Sequence, residues 1–141
     1  MADDRAQDPA LAGDEPTALE DGIAGLFDDY LTGFNDSDAD ALIDCFHLPA
    51  TIWQMDKGYV FDDEEDLAEN IEALLDALDK ENISFSEFSV VSAHISGTTA
   101  LVTLDWHQES ADGESVFEFT CHYHLIFDGD DWRIAMIVNE Q

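Results

Sequence analysis

The 141-residue chain reads as an α+β domain, with three N-terminal helices packed on one face of a strongly curved, mainly antiparallel sheet. Three observations predict it. Apolar residues recur at helical spacing from Leu19 to Phe34 and again from Leu67 to Leu78, whereas Thr99 to Asn139 alternates as strands do. Two turn signals, Asp112-Gly113 and Gly129-Asp130, impose registers that agree on which sheet face is buried. Large apolar side chains gather on that face, so the sheet forms the wall of a pocket.

Each element follows in order. Residues 1 to 16 are rich in Ala, Asp, Gly and Pro without periodicity and are expected to form a mobile tail before a single domain over residues 17–141. Thr17 and Glu20 make a capping box for a first helix, whose buried stripe is Leu19, Ile23, Leu26, Phe27, Tyr30, Leu31 and Phe34. Ser37 and Asp40 begin a short second helix containing Leu42, Ile43 and Phe46 and ended by Pro49. Ala50 to Phe61 reads as a hairpin about Lys57-Gly58. Asp62 or Asp63 caps the third helix, with Leu67, Ile71, Leu74, Leu75 and Leu78 on one stripe. A long strand from Ile83 to Ile95 turns at Ser96-Gly97 into the final meander. With Asp112-Gly113 as a two-residue turn, Val102, Leu104 and Trp106 oppose Tyr123, Cys121 and Phe119. With Gly129-Asp130 as the next, Tyr123 and Leu125 oppose Met136 and Ile134.

Composition bounds the function. Asp and Glu number 34 against four basic residues, a formal charge of -30, while 45% of residues are hydrophobic and 11% aromatic. That apolar content argues against a disordered acidic chain, and a domain of this length hides roughly 68–70% of its unfolded surface. The charge repels phosphates, so neither nucleic acid nor an anionic membrane is expected as a partner, while basic proteins remain open as partners. Such acidity fits a salt-accumulating cell, where screening relieves carboxylate repulsion, and equally an ordinary acidic surface. Cys45 and Cys121 fall on different elements and are expected as buried free thiols. Neither a membrane-spanning run nor a secretion signal is visible, so a cytoplasmic location is expected. Phosphate-cradling glycine loops, a Gly-x-Ser-x-Gly elbow and Cys-x-x-Cys pairs are absent.

The run from Tyr30 to Ile52 (YLTGFNDSDADALIDCFHLPATI), the strand Thr98 to Trp106 and the hairpin Tyr123 to Ile134 resemble the nuclear transport factor 2-like superfamily. That superfamily includes SnoaL-like polyketide cyclases, ketosteroid isomerase and scytalone dehydratase. The likeness covers residues 18–139 and implies a cone enclosing an apolar pocket. It also implies roles by position. Tyr30 matches the helix tyrosine that donates to an oxyanion in the isomerase, Tyr123 falls where its second donor stands, and Gln54 falls where its general base stands. An amide cannot take a proton at neutral pH. The implied pocket therefore places Tyr30, Gln54 and Tyr123 against Val102, Leu104, Trp106, Phe119, Leu125, Ile134 and Met136, with no inward carboxylate and no cofactor.

Strand parity sends the histidines elsewhere. His107, His122 and His124 fall on the outer sheet face with Leu101, Ile126 and Ile137, a surface suited to a homodimer such as relatives form. His122 and His124 beside Asp105 have a metal-like spacing, but without fixed third and fourth ligands the interface is the preferred reading and no metal is assigned. His47 follows the second helix, where it caps the C-terminus or reaches the pocket mouth as a proton carrier. Three functions stay open. The first is binding of a small apolar molecule. The second is a cofactor-independent isomerase, cyclase or dehydratase using Tyr30, Tyr123 and His47. The third is a homodimeric interaction module with a filled pocket.

Overall fold

A computed structural model of the chain describes residues 19–54 and 56–140. The expected tail and Thr17 lie outside the described residues. Helix α1 spans Asp21–Asn35, α2 Ala39–Ile43 and α3 Glu64–Lys80. The strands are β1 Phe46–Gln54, β2 Lys57–Phe61, β3 Ile83–Ser96, β4 Thr99–Ser110, β5 Ser115–Phe127 and β6 Trp132–Asn139. They form one six-stranded sheet in the order β2-β1-β6-β5-β4-β3, curled but not closed. All pairings are antiparallel except β1 with β6.

Local chemistry explains the helices. The Glu20 carboxylate caps α1 by accepting from Gly22 N–H, and also accepts from Trp132 Nε1 at 3.2 Å, which ties the helix start to β6. Asp38 caps α2 and Asp63 caps α3, each accepting from the amide three residues on. Ile23, Leu26, Phe27 and Tyr30 of α1 are buried against the inner sheet face together with Val102, Leu104, Leu125 and Ile134. Full burial of each such side chain is worth about 1.5–3 kcal/mol. Among the described residues no helix is long and apolar enough to cross a membrane.

Four local expectations are corrected. Helix α2 ends at Ile43, and Phe46 opens β1 instead of continuing the helix. The cause lies outside the segment: Phe46 is a register partner of Ile134, and Ile134 N–H donates to Cys45 O at 2.8 Å. The β1–β2 turn falls between Gln54 and Lys57, with Asp56 at φ 65°, so Lys57 and Gly58 belong to the strand. Glycine there lets the Trp53 ring lie directly over the strand, since a Cβ would sit 2.7 Å from that ring and displace it.

The third correction concerns the β4–β5 connection, which is a longer loop closed by Ser110 N–H to Glu114 O at 2.9 Å. A bulge between the Gln108–Phe117 and Glu109–Ser115 pairs then restores the register that a two-residue turn would give, and Trp106 still opposes Phe119. The fourth is a bulge at Ala135. Leu125 opposes Ile134 as expected, but past the bulge Tyr123 opposes Ile137 and His124 opposes Met136. Ile137 is therefore buried inside and Met136 turns to the outer face, the reverse of the alternation.

Candidate functional site

Between α3 and the inner sheet face lies a cavity of about 640 Å³. Its floor is aromatic. Tyr30 and Phe34 come from α1, Phe46 from β1, Trp106 from β4, and Phe117, Phe119 and Tyr123 from β5. Phe119 stacks on Trp106 with centroids 6.4 Å apart, while Phe34 meets Trp106 edge-on at 5.7 Å and Tyr30 at 5.0 Å. Helix α3 supplies the opposite side through Ile71, Leu74, Ala77 and Leu78. This explains why Leu74 is 41% exposed although it belongs to the apolar stripe: its side faces the cavity, not a packed partner.

Polar groups enter the cavity in two places. At the inner end, Trp106 Nε1 donates to Tyr123 Oη at 2.8 Å, and the Tyr123 phenol also bonds to Tyr30. Burial raises both phenols well above the usual tyrosine range, reinforced for Tyr30 by Cys121 and Cys45 and for Tyr123 by Tyr30. Both stay neutral at physiological pH. Along one side runs a rail in which Cys121 Sγ donates to Asn139 Oδ1 at 2.9 Å and Asn139 Nδ2 donates to Gln54 Oε1 at 3.3 Å. Burial pushes the Cys121 thiol up to about 12, so it serves as a neutral donor. Gln108, also lining the cavity, is fixed by donating to Ser86 Oγ at 3.2 Å. Carboxylates occur among the lining residues only as Glu81 and Glu140, both exposed.

Of the residues expected in the pocket, Tyr30, Gln54, Trp106, Phe119 and Tyr123 line it. Val102, Leu104, Leu125 and Ile134 share the inner face but are buried in solid core, because α1 fills that end of the sheet. Met136 leaves the set through the Ala135 bulge, and Ile137 takes its place. His47 lies on β1 and not among the lining residues, and the C-cap of α2 is Asp44. Alternation alone could have found Gln108, Phe117 and Cys121. The α3 side and Asn139 needed the helix docking and the bulge.

On the outer face stand Leu101, His107, His122, His124 and Ile126, whose register partners across β4 and β5 include Leu101 with His124 and Thr103 with His122. Ile137, expected with them, is inside. His122 is held by Thr103 Oγ1 at 2.9 Å through Nδ1 and by Glu140 Oε2 at 2.7 Å through Nε2. Asp105 in turn accepts from Thr120 Oγ1 at 2.7 Å.

Known proteins resemble this arrangement in fold. The family model described as NTF2-like protein (DUF6841) matches residues 20–141. No curated protein matches the chain. An NTF-2 like protein of unknown function from Shewanella oneidensis superposes with a TM-score of 0.69 at 15% identity, covering 86% of this chain and 98% of that one. A domain of unknown function with a cystatin-like fold from Nostoc punctiforme gives 0.68 at 14% identity, covering 84% and 74%. A ketosteroid isomerase-like protein from Erwinia carotovora gives 0.64 at 18% identity, covering 84% and 92%. At such identities the likeness speaks for the fold alone.

Proposed function

The chain belongs to the NTF2-like family (DUF6841), and on that premise we propose that it binds a small, uncharged, largely apolar molecule in the cavity beside α3. One observation carries the reading: a space of about 640 Å³ is walled by aromatic and aliphatic side chains, and the polar groups at its inner end are neutral. The size falls in the range of small-molecule sites, whose apolar walls give affinity while a few placed polar groups orient the ligand. Tyr30 and Tyr123 suit one oxygen of the ligand, and the Gln54–Asn139 rail suits a second. A carboxylate or phosphate ligand would meet no cation inside and a net charge of -30 outside.

The geometry favours binding over proton-transfer chemistry. Gln54 has no proton to exchange at neutral pH, and His47 lies outside the cavity lining. Binding is tested by thermal shift and intrinsic tryptophan fluorescence in high salt, using steroid-like, polyketide-like and terpene-like neutral compounds. At least one class should raise Tm in proportion to the logarithm of its concentration, as mass action requires. Ala77→Trp, at an exposed α3 position lining the cavity, should abolish the shift while leaving the unliganded Tm nearly unchanged. Silence from every class, or a shift that survives Ala77→Trp, would defeat the reading.

A further inference from the structure

We propose that Glu87, His107 and Glu109 form a divalent transition-metal site on the outer face of the sheet, fitted to zinc and its borderline neighbours. Glu87 on β3 and His107 on β4 are register partners, and Glu109 follows two residues along β4 on the same face. Each offers one ligand atom, and these atoms all lie within 4.8 Å of one another. His107 Nε2 is 3.4 Å from Glu109 Oε2. Two ligands on a tetrahedral ion with bonds of roughly 2.1 Å stand about 3.4 Å apart, so this edge is already the right length.

A second observation concerns the imidazole nitrogen itself. His107 Nε2 is closed off from solvent and has no hydrogen-bond partner, although the side chain as a whole is 38% exposed. A shielded ring nitrogen without a partner is costly, and a cation between it and the two carboxylates satisfies all three groups at once. The neighbours strengthen the field. Glu118 is the register partner of His107 on β5, and Asp105 lies two residues before it, so acidic residues occupy all four outer-face positions around the imidazole. Glu118 accepts from Ser115 Oγ at 3.0 Å and Asp105 from Thr120 Oγ1, which leaves them as a charged surround and the trio as the ligand set.

The donor set selects the metal. One imidazole and two carboxylates suit zinc, cobalt or manganese, whereas magnesium and calcium prefer all-oxygen shells. Three protein ligands leave a fourth position for water. Trp106 and Gln108, on either side of His107 in sequence, point into the cavity, so the ion sits behind the cavity wall and clamps β3 to β4.

The test titrates the full chain, stripped by chelator, with cobalt(II) in concentrated potassium chloride, reading the visible d–d bands and then their loss on adding zinc. One equivalent should bind, and His107→Asn and Glu87→Gln should each weaken it at least about tenfold. His122→Asn, altering a histidine outside the trio, should leave it unchanged. Glu109→Gln replaces either variant whose circular dichroism shows misfolding. Diffuse binding without a one-equivalent end point, equal affinity in His107→Asn, or displacement of cobalt by equimolar magnesium would each overturn the site.

Discussion

Tyr123 carries the most structural consequence of any single side chain. Its ring packs edge-on against Phe27 at 5.0 Å and against Tyr30 at 6.1 Å, and its hydroxyl accepts the Trp106 indole N–H. The alternation of β5 predicts that it faces inward. What alternation cannot predict is that Trp106, whose register partner on β5 is Phe119 and not Tyr123, reaches the Tyr123 hydroxyl along the inner face. Tyr123→Phe keeps the ring and removes the acceptor, leaving a buried indole donor unpaired at a cost of about 1–3 kcal/mol. Urea unfolding followed by tryptophan fluorescence should show that loss, and an unchanged midpoint would mean the bond adds nothing to stability.

At the scale of elements, the β5–β6 hairpin shows how turn chemistry and register separate. The turn is well marked in sequence: Asp128 Oδ1 accepts from Asp130 N–H and Asp131 N–H, both at 2.9 Å, and Oδ2 accepts from Arg133 Nε at 2.8 Å. Those backbone amides first, and Arg133 second, hold the Asp128 carboxyl down at about 2. Because its folded value lies below the unfolded value of about 3.9, the stability it contributes is present above about pH 4 and fades as pH falls toward 2. The stability difference between the wild type and Asp128→Asn should accordingly be flat above about pH 5 and shrink below about pH 4. A difference that grows on acidification would reverse the sign of the argument. The turn sets the register only as far as Ile134, since the Ala135 bulge then exchanges the faces of Met136 and Ile137.

For the whole molecule the dominant number is the charge of -30 on a folded core rich in aromatic residues. Basic partners are scarce: Arg133 pairs with Asp128 and Asp131, while Lys80 closes the last turn of α3. Folding brings the remaining carboxylates together at a cost that salt reduces, as the screening length falls from about 10 Å at 0.1 M to about 3 Å at 1 M. Tm should therefore rise by at least about 5 °C between about 0.1 M and 2 M potassium chloride. A Tm that is flat or falls over that range would show that carboxylate repulsion does not limit stability.

Much of the fold was legible because it rests on local rules. The periods of α1 and α3 and the alternation of β4 and β5 were enough to mark the helices, the buried face and the inward direction of Tyr30, Trp106, Phe119 and Tyr123. A short apolar segment such as Phe46 to Pro49 has no such determinant, and only its parallel pairing with β6 made it a strand. Bulges at Ala135 and beside Ser115 are likewise invisible in alternation, since one extra residue changes the facing of everything beyond it without changing composition. Which inner-face residues line open space instead of solid core was decided by where α1 and α3 dock. The gathering of Glu87 from β3 with His107 and Glu109 from β4 followed from strand pairing, because contacts between distant segments are set by packing and not by any single segment's pattern.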